Sequence, residues 1–207
     1  MAAAKLHMET THGKISPPQH DFVTVQANFT VKVQMGPTIV KVTDTKIGRS
    51  YSVLHLALTQ DGMNCIVAYI TMGNIATESG PTFTSPSNPP PPPILGRSNL
   101  EPLKTKKLPG WKELEMPFAE FRRAATNMRF FSQENPVNER GLEQYEVFAD
   151  GENFTNTSLG FVSDMFIGNP ASMAEFEKAK ESGEKPSAAY WYPTLTLNIG
   201  KYTHDII

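Results

Sequence analysis

The sequence predicts an α+β protein of antiparallel strands and helices. Three observations carry that prediction. Apolar residues alternate with polar ones from Val23 to Val33, the period-two pattern of a half-buried strand. An Asp61-Gly62 pair separates two further strand-like runs, and that dipeptide favours a two-residue hairpin turn. The C-terminal half reads in turn as strand, helix and strand.

In chain order, Ala2–Thr11 reads as the last turns of a helix ending near Gly13. The alternating run that follows is broken at Gly36-Pro37. A second run spans Thr38 to Lys46, with Val40 and Val42 on one face, and is punctuated by Gly48. A third covers Ser50 to Thr59 and a fourth Asn64 to Met72. Four strands with consecutive neighbours paired are expected. The segment from Ser79 to Pro109 then carries Pro81, Pro86, the run Pro89–Pro93, Pro102 and Pro109. Such a run favours polyproline II and acts as a stiff spacer without ladder donors. A surface linker is the reading adopted, with a docking ligand for a partner domain as the sharper one.

Beyond the linker, Gln144–Ala149 reads as a short strand ended by Asp150-Gly151. Asn156 or Thr157 is placed to cap a helix carrying Leu159, Val162, Met165 and Phe166 on one face. Gly160 lies within it, a cost to the helix unless close packing needs the missing side chain. A second helix opens at Asn169-Pro170, fills Ala171–Glu181 and closes at Gly183 and Pro186. Thr194–Ile199 is a final strand, with Leu195, Leu197 and Ile199 on one face.

Composition narrows the function classes. The 207 residues hold 19 basic and 21 acidic side chains, a net charge of −2. This balance argues against nucleic-acid binding, which needs an excess of Lys and Arg on some face. No stretch approaches the apolar length of a membrane helix, so no membrane span is expected. Met1-Ala-Ala-Ala-Lys-Leu-His has no secretory pattern. The single cysteine, Cys65, cannot close an internal disulfide, which fits a reducing compartment. A cytoplasmic location is expected.

Most catalytic templates fail. There is no G-x-S-x-G elbow, phosphate-binding loop or H-E-x-x-H helix. The histidines His7, His12, His20, His55 and His204 show no metal-ligand spacing, so neither metal nor organic cofactor is expected. Cys65, among apolar neighbours, reads as a core residue. The sequons at Asn28, Asn153 and Asn156 carry little weight without secretion, and Lys104-Thr-Lys-Lys107 reads as a solvated loop. Asp164 differs, because its neighbours Phe161, Val162, Met165, Phe166 and Ile167 are apolar. A carboxylate there lies either on the solvated face of the helix or in a partly buried site that tunes its basicity. Thr194, after Trp191-Tyr-Pro193, opens a strand able to place a hydroxyl beside a packed helix.

Several short motifs, in order, resemble the acyl-CoA thioesterase II-like (TesB-like) family, especially its fungal thioesterase-like group. In the first half these are Phe29-Thr-Val-Lys-Val-Gln-Met-Gly36-Pro37, Lys46-Ile-Gly48-Arg49-Ser50-Tyr51-Ser52, Gln60-Asp-Gly62 and Ala68-Tyr-Ile-Thr71. In the second half they are Phe148-Ala-Asp-Gly151, Ser158-Leu-Gly-Phe-Val-Ser-Asp164-Met and Trp191-Tyr-Pro-Thr194-Leu. The resemblance implies a double hotdog, in which antiparallel sheets wrap helices. It divides the chain into a first repeat at 1–78, a proline-rich linker at 79–125 and a second repeat at 126–207.

The family hydrolyses acyl-CoA thioesters through water held by a carboxylate, a hydroxyl and a glutamine, without a covalent intermediate. The resemblance assigns the carboxylate to Asp164 and the hydroxyl to Thr194. No glutamine matches by motif, since Gln133 and Gln144 precede the helix. Compared with the family pattern, both repeats read as incomplete, shortened at the two ends of the chain. An uncovered helix face and an open edge beside Leu195–Ile199 lead to an expectation of self-association. The expected substrate is an acyl-CoA or acyl-carrier thioester, including a polyketide chain, and family members of the fungal group serve secondary metabolism. Two alternatives stand beside this reading: a non-catalytic acyl-binding or assembly hotdog protein, and a plain interaction module docking through its prolines.

Overall fold

The structure, a computed structural model, describes residues 1–79, 101–104, 109–114, 123–134, 144–165, 181–182 and 193–199. In chain order the elements are α1 (Ala2–Thr11), β1 (Asp21–Phe29), β2 (Ile39–Lys46), β3 (Ser52–Gln60), β4 (Met63–Gly73), β5 (Trp111–Leu114), β6 (Met128–Gln133), β7 (Gln144–Phe148), α2 (Leu159–Val162) and β8 (Thr194–Asn198). Two compact units form: Met1–Pro81 with Tyr190–Ile207, and Thr82–Ala189.

In the first unit five strands make one sheet in the order β2-β3-β4-β1-β8, and every pair is antiparallel. The β3–β4 hairpin turns through Asp61 (φ 51) and Gly62 (φ 78). Both residues are left-handed, as a type I′ turn requires and as Asp-Gly predicts. The expected pairing of consecutive strands holds for β2–β3 and β3–β4 but fails for β1, which pairs with β4 instead. The cause is local. The amides of Thr30 and Val31 both donate to the Cys65 carbonyl, at 2.9 and 3.3 Å. The β1 ladder therefore stops at Phe29, and the chain crosses to the far edge of the sheet before β2 begins. Val31 and Val33, expected inside the strand, lie exposed outside it.

The inner face of the sheet carries Val25 and Ala27 of β1, Leu54 and Leu56 of β3, and Ala68, Ile70 and Met72 of β4. Phe22 joins them because a bulge between Phe22 and Thr24 resets the alternation of faces. Ala4 and Met8 of α1 are buried in the same cluster. Four residues apart, they lie on one stripe of the helix, and the Ala-rich start of α1 suits helix formation. Cys65 is buried, as expected of a core thiol.

The last strand was expected in the sheet of the second repeat. β8 pairs instead with β1, Leu195 opposite Ala27 and Leu197 opposite Val25. Because β2 is on the far edge, β1 has an edge to offer. The ladder extends at both ends, from Phe29 N to Pro193 O at 2.8 Å and from Ile199 N to Val23 O at 2.9 Å.

The second unit holds a three-stranded antiparallel sheet in the order β5-β6-β7. Two of its strands depart from the sequence reading. Trp111–Leu114 falls in the segment assigned to the linker, and Met128–Gln133 showed no strand signal. In β6 both Phe130 and Phe131 are buried, on opposite faces, so Phe131 breaks the alternation that Arg129 and Gln133 on its own face would otherwise mark. Phe130, Met128 and Ala125 form one apolar cluster with Met165, packed by Phe148, Phe154, Phe161 and Val162. Phe131 forms another with Leu103 and Val147, packed by Trp111 and Tyr145. Arg129 fastens β5 to β6 with a bidentate pair to the Glu113 carboxylate, at 2.7 and 2.9 Å, and also donates to the Lys104 carbonyl at 2.8 Å. Lys104 in turn donates to Asn153 Oδ1 at 2.9 Å, an exposed contact, and the rest of the basic patch at 105–107 lies outside the described residues.

α2 is shorter than the apolar spacing implied. It is prepared by Thr155 and Ser158, whose hydroxyls each accept the other's amide, at 3.3 and 2.8 Å. This reciprocal capping starts the turn ahead of Asn156 and Thr157. Bonds from Asp164 N to Phe161 O and from Met165 N to Val162 O, at 3.1 and 3.0 Å, tighten the end into a 3₁₀ turn. Residues 171–180 of the helix expected over 171–181, the proline run and Phe166 lie outside the described residues, and 181–182 are helical.

Candidate active site

Asp164 follows Ser163, the C-cap of α2, and is half-buried, next in sequence to the buried Met165. Its position comes from the apolar residues on either side. Phe161 and Val162 before it and Met165 after it pack onto the Met128–Phe130 face of the second sheet. Asp164 itself is half-buried between these packed neighbours in the chain. Thr194 opens β8, is exposed, and stands opposite Asn28 of β1. Asp164 belongs to the Thr82–Ala189 unit and Thr194 to the other.

A second carboxyl in the unit of Asp164 escaped the sequence reading. Glu146 of β7 stands opposite Phe130. Strand alternation puts it on the face shared by Met128, Phe130 and Phe148. Burial there pushes its carboxyl up to about 7, against the opposing effect of a hydrogen bond donated by Gln144 Nε2 to Oε1. Its other oxygen, Oε2, is buried and has no hydrogen-bond partner among the described residues. The available signal was a glutamate in a strand that also carries Tyr145, Val147 and Phe148.

A third group lies in the first unit and corrects the reading of the histidines. Asp44 of β2 accepts His7 Nε2 on Oδ1 at 2.7 Å and His12 Nε2 on Oδ2 at 2.9 Å. The His7 bond, and after it the His12 bond, holds the Asp44 carboxyl below its ordinary range. Five residues apart, two helical side chains would diverge around the axis. His12, however, is the C-cap residue, at φ −119 and ψ 19, and its backbone has already left the helix. The two rings meet edge to face with centroids 5.3 Å apart. Spacing along the sequence could not show this, because the third member comes from a strand.

Residues 1–73 match the family described as the acyl-CoA thioesterase N-terminal domain. The thioesterase-like protein TwmA of Talaromyces wortmannii is 27% identical over 217 aligned positions, covering 87% of this chain and 62% of that protein. The chain thus spans less than two thirds of the length of that relative. Among solved structures, a proposed thioesterase of Novosphingobium aromaticivorans superposes with a TM-score of 0.55 at 17% identity, over 96% of this chain and 68% of the other. A protein of unknown function with a hot dog fold from Alicyclobacillus acidocaldarius gives a TM-score of 0.59 at 14% identity, over 97% and 67%. These likenesses bear out the α+β hotdog architecture. Over its first 73 residues the chain is similar to acyl-CoA thioesterase N-terminal domains, and its fold is similar to that of hot dog proteins.

Proposed function

We propose that the chain takes part in hydrolysis of an acyl thioester, with acyl-CoA or a carrier-bound acyl or polyketide chain as substrate. The observation that carries this reading is the family match over residues 1–73, together with a thioesterase-like relative aligned along most of the chain. In the mechanism, Asp164 accepts a proton from water as that water, oriented by the Thr194 hydroxyl, attacks the thioester carbonyl; the tetrahedral intermediate then breaks its C–S bond, and the leaving thiolate takes the proton from Asp164, giving free acid and thiol. Under this reading the repeat at 126–207 carries both groups and is joined through 79–125 to the repeat at 1–78. A role in fungal secondary metabolism and a cytoplasmic location belong to the same proposal. So does self-association along the outer edge of β8, an end strand of its sheet among the described residues, since an open edge offers unpaired donors and acceptors. Light scattering on the eluting peak of a size-exclusion column tests that last point, and a monomer at every concentration retires it.

The deciding experiment follows thiol release from acyl-CoAs of graded chain length, comparing wild type with Asp164→Asn. The substitution keeps shape and removes the base. Turnover that is present in wild type and lost in the variant supports the mechanism, whereas an unchanged rate removes Asp164 from it. Saturable acyl-CoA binding without turnover in either protein favours the alternative, a non-catalytic acyl-binding or assembly protein.

A further inference from the structure

We infer that His7, His12 and Asp44 form a binding site for a divalent first-row transition cation, at the seam between α1 and β2. The site is independent of the thioesterase reading and lies in the other unit from Asp164. Its donor set is two imidazoles and one carboxylate, each offering one atom, and these atoms all lie within 4.8 Å of one another. Ligand bonds of about 2.0–2.2 Å separate the donors of a tetrahedral ion by roughly 3.3 Å, so modest side-chain rotation closes the set around a cation. Imidazole with carboxylate suits Zn2+ and its neighbours in the row, not the all-oxygen shells of Ca2+ or Mg2+.

Two further features support a built site. A bulge interrupts the β2–β3 register between Asp44 and Lys46, and bulges re-aim the side chains beside them. Asp44 stands opposite Leu54, a core residue of the helix-covered face, so the carboxylate is directed towards α1. His12 sits at the C-terminal end of α1, where the partial negative charge of the helix favours a cation. The side chains are 21%, 18% and 38% exposed. An ion held there has protein on one side and room for water on the other, the open arrangement of three-ligand sites.

Zn2+ is the probe. The full chain, freed of metal and of any histidine tag, is titrated with Zn2+ by calorimetry. One ion per chain is expected, with affinity at least about tenfold weaker in His7→Ala, His12→Ala and Asp44→Ala and unchanged in His20→Ala. Circular dichroism confirms that each variant is folded. As a measurement that needs no variant, anomalous scattering from a Zn2+-soaked crystal of the wild type should give a peak between the three side chains. Absence of saturable binding overturns the proposal, as does stoichiometric binding that survives His7→Ala/His12→Ala. An anomalous peak only at other residues also overturns it, and leaves the cluster as a pair of hydrogen bonds that pin α1 to the sheet.

Discussion

Asp21 Oδ2 accepts the backbone amide of Ile75 at 2.8 Å, both groups being buried. One carboxylate therefore ties the start of β1 to the turn that follows β4, at the end of the strand pair on which the first sheet is built. Removing the acceptor in Asp21→Ala strands a buried N–H, at a cost of about 1–3 kcal/mol. Asp21→Asn keeps an oxygen in reach and should lose less. Urea unfolding midpoints of the three proteins check this, and equal losses in both variants would show that the carboxylate charge matters rather than this bond.

Gly48 lies where a side chain does not fit. A Cβ there would come within 2.4 Å of the Tyr51 carbonyl oxygen, a backbone atom that cannot rotate away. The same turn is gripped by Gln19, whose amide donates to the Gly48 and Arg49 carbonyls at 2.8 and 3.0 Å. Gly48→Ala should therefore destabilise the protein by about 1–3 kcal/mol and lower the melting temperature. Gly62→Ala makes a useful comparison, because its Cβ meets nothing within 4 Å and only the left-handed backbone opposes it, at about 1 kcal/mol.

Glu146 sets a pH dependence. Its carboxyl is raised from 4.5 to about 7 in the folded protein, so between those values the native state holds more protons than the unfolded chain. Stability then falls as pH rises from about 4.5 to about 7, and this contribution is constant above that range. After discounting for the residue's partial exposure, the loss is about 1 kcal/mol. Glu146→Gln removes the titration. Compared with wild type, the variant should gain stability at pH 8 relative to pH 4, and a difference that does not change with pH would rule out the buried carboxyl as the cause.

If Asp164 and Thr194 act on one water, their substitutions are not independent. Asp164→Asn should lower kcat by about 100-fold or more, and Thr194→Val should lower it less. The double variant should then be scarcely slower than Asp164→Asn alone. Steady-state kinetics on one acyl-CoA suffice, and fully multiplicative losses would show that the two residues serve separate steps.

The first sheet was largely legible because its strands are half-buried. Thr24, Gln26 and Asn28 mark the outer face against Val25 and Ala27, and Asp61-Gly62 fixes a turn with its own backbone preferences. Pairing partners were harder, since nothing in β1 itself says that the Cys65 carbonyl will end its ladder at Phe29. β6 was hidden by burial on both faces. Of the candidate site, Asp164 was visible as a charge among apolar neighbours. Glu146 and the His7–His12–Asp44 group were not, because each depends on a neighbour supplied by another element.

The pairing of β1 with β8 also bears on how the chain reaches its native state. Thr24 and Asn198 are partners, so some 170 residues intervene between two adjacent strands, a contribution of high contact order. While the polypeptide is being made, β1 can dock on β4 early, but its other edge stays open until Thr194–Asn198 has been synthesised. During that interval the nascent sheet presents a row of unsatisfied amides and carbonyls to any other strand within reach. Yield in cells should therefore respond to the speed of elongation and to chaperone supply more than the stability of the finished fold would suggest.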